Sequence, residues 1–164
     1  IVLKPEPVGV ELSLPQGYAL AEPGRRLLAA AADLAVALLI TAVIERVPLR
    51  ELLSPGLVFS TPGGTQSIGV VIGAGLVHST LAEWLLGASL GKLATGCRVV
   101  RVVRGPQTDS QPVARGPGLW RAFVRNAIRW ALPPVAIAGL NTPDHRHRGD
   151  LAAGTVVVVP IAAS

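Results

Sequence analysis

The chain has 164 residues, of which half are hydrophobic and 15% are charged, and its formal net charge is +5. Soluble domains usually carry about 25% charged residues, so the composition excludes an ordinary soluble globular domain. The basic residues flank apolar runs and form no single free patch, which argues against nucleic acid as a partner. The one cysteine, Cys97, excludes an internal disulfide framework.

Two apolar segments are long enough to cross a bilayer as helices, which takes about 20 residues. The first runs from about residue 27 to 47 and follows an N-terminal segment, residues 1–24, in which we expect a short strand. The second runs from about residue 67 to 86. Its glycines have the spacing that lets two membrane helices approach closely, which predicts a helix-packing face of Gly69, Gly73 and Gly75. The alternative is that the helix merely tolerates these glycines.

The distribution of charge orients the two spans. Residues 92–129 carry eight basic residues and one acidic residue, Asp109, whereas the only charged residues between the spans are Arg50 and Glu51. Loops rich in Lys and Arg remain in the cytoplasm. We therefore expect the N-terminus and the C-terminus on the cytoplasmic side and the short loop between the spans outside.

Residues 119–140 are predicted to form a re-entrant or interfacial element. Their first half alternates basic and apolar residues at helical spacing, which is typical of an amphipathic helix at the lipid headgroups. Pro133 and Pro134 remove two backbone donors and should break the helix. The alternative, a tilted third span, would bury Arg125 and Arg129.

Basic residues near this surface are expected to contact lipid headgroups: Arg121, Arg129, Arg146 and Arg148. His145 and His147 are spaced for a strand or loop, and no further cysteine or acidic pair completes a metal site. We therefore predict no metal there.

An internal repeat predicts a small β-sheet. "GKLATGCRVV" (91–100) and "GDLAAGTVVV" (149–158) share glycines, Leu, Ala and Val at matching places, and both run into a β-branched stretch. We expect strands there, the terminal one at 151–160, and a third strand in the alternating segment 8–14. The predicted fold is an α-helical membrane protein with two transmembrane helices, the re-entrant or interfacial helical element and this sheet at the cytoplasmic face, in one membrane domain of residues 25–164.

Four segments resemble, in order, the motifs of the RDD family of small bacterial integral membrane proteins, named after one arginine and two aspartates. "GRRLLAAAADL" resembles its first-helix motif, with Arg26, Ala29 and Asp33 at the matching positions. "EWLLGASLGKLATGCRVVRV" resembles the second motif, and the matching residues are Glu83, Gly87, Gly91, Lys92, Gly96 and Arg98. "FVRNAIRW" resembles the R-N element through Arg125 and Asn126, and "HRHRGDLAAGTVVV" resembles the closing motif through Asp150.

The resemblance implies a multi-pass protein of the bacterial cytoplasmic (inner) membrane. It implies either transport of an unidentified ligand or service in a larger membrane assembly. The sequence departs mildly from the family at residues 147–149, where the family usually has Q-R-L before G-D.

A buried polar cluster is predicted just beneath the cytoplasmic interface. Arg26 and Asp33 share a helix face because seven residues turn through about 700°, yet they lie about 10 Å apart, too far to pair. We expect cations or donors from elsewhere to reach Asp33, and Arg26 to meet Glu83 or Asp150. The predicted members of the cluster are Arg26, Asp33, Glu83, Lys92, Arg125, Asn126 and Asp150.

Two roles remain open for this cluster. It could fix fold and register without turnover. Alternatively, Asp33 and Glu83 could lie on a cation or proton path, as intramembrane acids often do. His78 lies about 140° around the helix from Glu83, which argues against a relay between them.

No serine-hydrolase elbow, phosphate-binding loop or dinucleotide motif is present, so we expect neither an enzyme nor a cofactor. The expected function is that of a non-catalytic accessory or scaffolding subunit packed against a larger membrane protein complex. The alternative is an ion or small-solute transporter that acts as an oligomer, with the Asp33/Glu83 cluster on the path. The expected partners are membrane lipids and membrane proteins or further copies of the chain, and not nucleic acid.

Overall fold

The computed structural model describes residues 14–15, 17–54, 62–102, 115–133 and 146–161, with side chains from residue 67 in the third range. The elements follow in chain order: β1 (Tyr18–Leu20), α1 (Pro23–Glu45), α2 (Leu49–Leu52), α3 (Pro62–Leu86), α4 (Leu90–Ala94), β2 (Arg98–Arg101), α5 (Leu119–Ala131), α6 (Arg148–Ala153) and β3 (Thr155–Pro160). α1 packs against α3 and α4, and α5 packs against α3 and α6.

Among the described residues, two helices are long and apolar enough to cross a membrane, namely α1 and the part of α3 from Ser67 to Leu86, in agreement with the predicted spans. Only 22% of the apolar stretch of each helix is buried inside the protein, whereas the core helix of a soluble protein is mostly buried. α1 buries one narrow stripe at intervals of three and four residues, and it consists of Arg26, Ala29, Asp33, Ala37 and Thr41. The remaining surface of α1 is largely hydrocarbon and suits lipid.

Helix α5 is amphipathic, as its sequence predicts. Its inner face buries Arg125, Asn126 and Trp130, while Trp120 and Phe123 stack on each other on the outer face with ring centroids 5.7 Å apart. The helix ends at Ala131, shortly before the proline pair. Its 13 residues are fewer than a span requires. The rest of the predicted re-entrant element, residues 134–140, lies outside the described residues.

A three-stranded antiparallel sheet is present, in the order β1-β3-β2. Val158 stands at its centre, opposite Leu20 on one side and Arg98 on the other. The run of valines in β3 is buried on both faces, because Val157 packs with Ala21 and Cys97 while Val156 packs with Val100. This explains why consecutive valines occur in place of an alternating pattern.

Two details of the sheet differ from the predictions. The strand predicted for 151–160 begins only at Thr155, because residues 148–153 form α6. A capping box between His147 and Asp150 starts this helix, and Gly154 ends it with a φ of 61°. The third strand is Tyr18–Leu20, inside the predicted N-terminal segment. The strand predicted for 8–14 lies, up to residue 13, outside the described residues.

Candidate functional site

The structure brings all seven residues of the predicted cluster together and buries each of them to at least about nine-tenths. Four further side chains join them. We use "polar cluster" for the whole set, which consists of Arg26, Asp33, His78, Glu83, Ser89, Lys92, Arg125, Asn126, Arg129, His147 and Asp150.

Asp33, at the deep end of the polar cluster, caps a helix other than its own. Its carboxylate accepts from the Ser89 hydroxyl at 2.7 Å and from the Gly91 backbone N–H at 2.8 Å, at the start of α4. Ser89 is the N-cap residue of α4 but makes no side-chain cap bond itself, because its hydroxyl donates to Asp33. Two cations face the same carboxylate, with Arg129 Nη2 at 2.9 Å and Lys92 Nζ at 4.0 Å.

Gly91 permits this arrangement because it has no side chain. A Cβ built there would overlap the Ala29 carbonyl oxygen and lie 2.8 Å from the Asp33 amide nitrogen. α4 can therefore approach α1 only with glycine at this position, which gives a physical reason for the glycine beside Lys92.

Glu83 lies at the centre of the polar cluster and accepts from three side chains. Lys92 Nζ lies 2.6 Å and Arg125 Nη1 2.7 Å from one carboxylate oxygen, and Asn126 Nδ2 lies 3.0 Å from the other. Arg125 then bridges to Asp150 through its Nε. Burial lowers the pKa of Arg125, but the carboxylates of Asp150 and Glu83 outweigh it and hold that pKa above its usual value.

Asp150 closes the polar cluster at its shallow end. Arg26 Nη2 lies 2.7 Å from its carboxylate, so Arg26 meets Asp150, one of the two acids predicted for it. Burial raises the pKa of Asp150, but the neighbouring cations, chiefly Arg125, outweigh it and hold the pKa below its usual range. His147 Nδ1 accepts the Asp150 backbone N–H at 3.1 Å. Burial lowers the pKa of His147 to about 3, so this imidazole is neutral near pH 7 and free to accept.

The charges of the polar cluster nearly cancel. Three carboxylates, Asp33, Glu83 and Asp150, face the four cations Arg26, Lys92, Arg125 and Arg129, which leaves one excess positive charge. Each carboxylate has at least two partners from other elements. Within the described residues, no three His, Cys, Asp or Glu side chains are arranged to hold a metal ion.

Two of the four arginines predicted to contact headgroups make contacts inside the protein. Arg129 turns inward to Asp33, because it lies one helical turn from Arg125 on the same face of α5. Arg146 is 7% exposed, and its Nε donates to the Thr155 carbonyl at 3.0 Å. We reassign Arg146 from headgroup contact to an internal contact, and the Nη2 of Arg129 is likewise engaged inside the protein. Arg121 and Arg148 are exposed, and headgroup contact stays a prediction for them, although the Nη1 of Arg121 also donates to the Ala153 carbonyl at 2.6 Å.

His78 is the member that sequence reasoning discounted. Its Nε2 lies 3.7 Å from Asp33 Oδ1, and its Nδ1 lies 3.1 Å from the Ala74 carbonyl oxygen. The helix-face argument compared His78 with Glu83 on its own helix, whereas its partner is on α1. His145, the other histidine considered for a metal, lies outside the described residues.

The three glycines predicted for helix packing divide into two kinds. A Cβ on Gly75 would lie 2.5 Å from the Trp130 indole, so Gly75 makes room for α5 of the same chain. Around Gly69 and Gly73 no described residue lies within 4 Å of a built Cβ. Of the three glycines, these two leave a small-residue face that the described part of the chain does not cover.

Comparison with known proteins bears on these motifs. No curated protein and no solved structure matches the chain. The family model described as the RDD family matches residues 20–163, nearly the whole chain and every described member of the polar cluster. The chain therefore belongs to the RDD family of membrane proteins.

Proposed function

We propose that this protein is a non-catalytic accessory or scaffolding subunit of the bacterial cytoplasmic membrane, which packs against a larger membrane protein complex with both of its termini in the cytoplasm. The observation that carries the proposal is that each carboxylate of the polar cluster is held by partners from other elements. Asp33 joins α1 to α4 and α5, and Asp150 joins α6 to α1 and α5. An ionic network of this kind fixes one arrangement of helices.

The open glycine face supports a partner helix. Gly69 and Gly73 are one turn apart on α3, and no described residue lies within 4 Å of a Cβ built on either of them. In lipid, hydrophobic burial does not drive helices together, and small residues favour association because they allow close backbone contact. We place the partner's transmembrane helix on this face.

The experiment is purification from native membranes in mild detergent, followed by sizing. We expect the wild-type chain to co-migrate with a larger complex, and Gly69→Leu with Gly73→Leu to release it. The matched control is Val77→Leu, an exposed position on the same helix. Wild-type chain that migrates alone, or double-variant chain that stays in the complex, would contradict the proposal.

A second function, an oligomeric ion or small-solute transporter, is favoured by His78. The imidazole lies within 3.7 Å of an intramembrane aspartate, and Asp33, Lys92 and Glu83 follow one another without a gap. Intramembrane acids often mark ion paths. Two spans enclose no path, so this function requires several copies.

Proteoliposome flux measurements separate the two functions. Ion flux that disappears in Asp33→Asn, with an unchanged melting temperature, would replace the accessory role with transport. Absence of flux in wild-type proteoliposomes, together with a lowered melting temperature of Asp33→Asn, would support the structural role of the polar cluster.

A further inference from the structure

Among the described residues, Arg129 is the cation of the polar cluster that has a buried nitrogen without an acceptor. Its Nη2 lies 2.9 Å from Asp33, but its Nη1 is buried and donates to no acceptor among the described residues. A buried guanidinium N–H without an acceptor is costly, since a charged donor loses its hydration and gains nothing in return. An acceptor from outside the chain would remove that cost.

An apolar cavity of about 330 Å³ adjoins this guanidinium. It lies between α1 and α5 and is lined by Leu27, Ala31, Leu34, Trp130 and Pro133 as well as Arg129. Leu27 and Leu34 are both close to half exposed, so the cavity opens sideways on the lipid-facing surface of α1. Arg129 is the one charged residue among the described residues that line it.

A second apolar cavity of about 340 Å³ continues it. The two cavities share Leu34, Trp130 and Pro133, and the second extends along α1 to Leu38 without Arg129. Arg129 contacts Asp33, and Ser67 of the second cavity contacts Glu45, which lies about 18 Å further along α1. This length is comparable to the hydrocarbon depth of one leaflet, about 15 Å. The groove is thus cationic at one end and apolar along a length that one acyl chain would fill.

We infer that this groove binds an anionic phospholipid from the surrounding bilayer, with its phosphate on Arg129 Nη1 and an acyl chain along Leu34 and Leu38. Charge complementarity selects this occupant. The polar cluster carries one excess positive charge, and the free donor belongs to an arginine, whose guanidinium suits phosphate oxygens. An anion without an apolar tail would leave the groove empty, and a neutral helix would leave Nη1 without an acceptor.

Native mass spectrometry of the full-length chain in detergent tests the inference. The probes are phosphatidylglycerol and phosphatidylcholine with identical acyl chains, each added at the same concentration. We expect the wild-type chain to retain phosphatidylglycerol preferentially, and Arg129→Gln to lower that preference by about tenfold, the value of one charge-assisted hydrogen bond. The matched control is Arg121→Gln, an exposed arginine on the same helix, which should leave the preference unchanged.

A second pair of variants keeps the test valid if Arg129→Gln fails to fold. Ala31→Phe fills the groove and leaves Arg129 intact, and its control, Ala35→Phe, places the same ring at an exposed position outside both cavities. We expect only Ala31→Phe to lose the lipid, with melting temperatures of both variants near that of the wild type.

Four results would overturn the inference. They are equal retention of the two lipids by the wild-type chain, an equal loss in Arg121→Gln and Arg129→Gln, retention by Ala31→Phe, and displacement of the lipid by inorganic phosphate. The second would indicate diffuse attraction to the basic surface, and the last would indicate a site for a free anion.

Discussion

The two ends of the α1–α3 helix pair are held together by different means. At the cluster end, where residues 23–33 meet residues 78–86, charged side chains from five helices interlock. At the loop end, residues 37–45 and 67–75, α1 buries only Ala37 and Thr41, and the Thr41 hydroxyl donates to the Ala37 carbonyl of its own helix. Among the described side chains, one hydrogen bond joins the two helices there, and the Ser67 hydroxyl donates it to Glu45 at 2.7 Å.

This difference shows where the fold is specified. Lipid is as apolar as leucine, so the exposed leucines and valines of α1 and α3 gain little from burying each other. Polar contacts, which find no substitute partner in hydrocarbon, decide which helices associate and in what register. The cluster end therefore fixes how the helices pack, and the contacts at the loop end contribute little to that choice.

The sharpest test of this comparison is Arg125→Gln. Arg125 is 1% exposed and bridges Glu83 and Asp150, so its loss leaves two buried carboxylates with one cation fewer between them. We expect the free energy of unfolding to fall by about 3–5 kcal/mol. Reversible unfolding in mixed detergent measures it. The control, Arg98→Gln, removes an exposed arginine and should change the value by less than about 0.5 kcal/mol. Equal effects of the two substitutions would refute the central role of Arg125.

Glycine-to-alanine substitutions at the two ends should have opposite signs. In Gly91→Ala the new methyl group meets the Ala29 carbonyl and Asp33, and overpacking of this kind costs about 1–3 kcal/mol. In Gly73→Ala the methyl group enters open space, and the higher helix propensity of alanine stabilises the isolated chain by up to about 1 kcal/mol. Melting temperatures in detergent compare the two. Similar losses at both positions would show that the face around Gly73 is filled.

The pH dependence of the unfolding free energy should reflect the lowered pKa of His147 at the cluster end. Its folded pKa of about 3 lies below the unfolded value of about 6.5, so between pH 6.5 and 4.5 the unfolded chain binds a proton that the folded chain does not. Stability therefore falls as the pH falls through this window, by at most about 1.4 kcal/mol per pH unit. His147→Asn keeps an N-cap acceptor but does not titrate, so its stability should vary less with pH.

The measurement is the difference in unfolding free energy between wild type and His147→Asn at pH 6.5 and pH 4.5. Taking the difference cancels the contributions of the other histidines and of the carboxylates. A difference that does not change with pH would show that His147 is protonated in the fold.

Sequence reasoning reached the membership of the polar cluster because helix geometry places Arg26 and Asp33 on one face and an antiparallel helix brings Glu83 to the same depth. It missed partners that depend on the packing of three elements at once. Arg129 follows Arg125 by four residues, so the spacing indicates that both lie on the inner face of α5. The sequence prediction instead placed Arg129 at the lipid headgroups. The sequence argument compared His78 only with Glu83 on the same helix, although its partner is Asp33 on α1.

At two places a short sequence pattern permits more than one local structure. Ser89 precedes α4 in the position of a cap, and only the folded structure shows that its hydroxyl donates to Asp33. The predicted terminal strand includes residues 151–153 because four valines follow shortly after them, whereas these residues end α6. The signal for a helix was His147 with Asp150 three residues later, a spacing that permits a capping box.

The smallest effect is expected for Ser67→Ala, which removes the hydrogen bond between Ser67 and Glu45 at the loop end. The Ser67 hydroxyl donates to Glu45, which is only partly buried, so water or headgroups can replace it, and the loss should be about 0.5–1 kcal/mol. The same substitution at the cluster end, Ser89→Ala, removes a fully buried hydroxyl that donates to Asp33 and accepts from Lys92, and it should cost more, about 1–3 kcal/mol. Unfolding of both variants in the same detergent measures the contrast directly. If Ser67→Ala cost as much as Ser89→Ala, the loop end would contribute equally to the fold, and the division of the helix pair into a specifying end and a following end would be wrong.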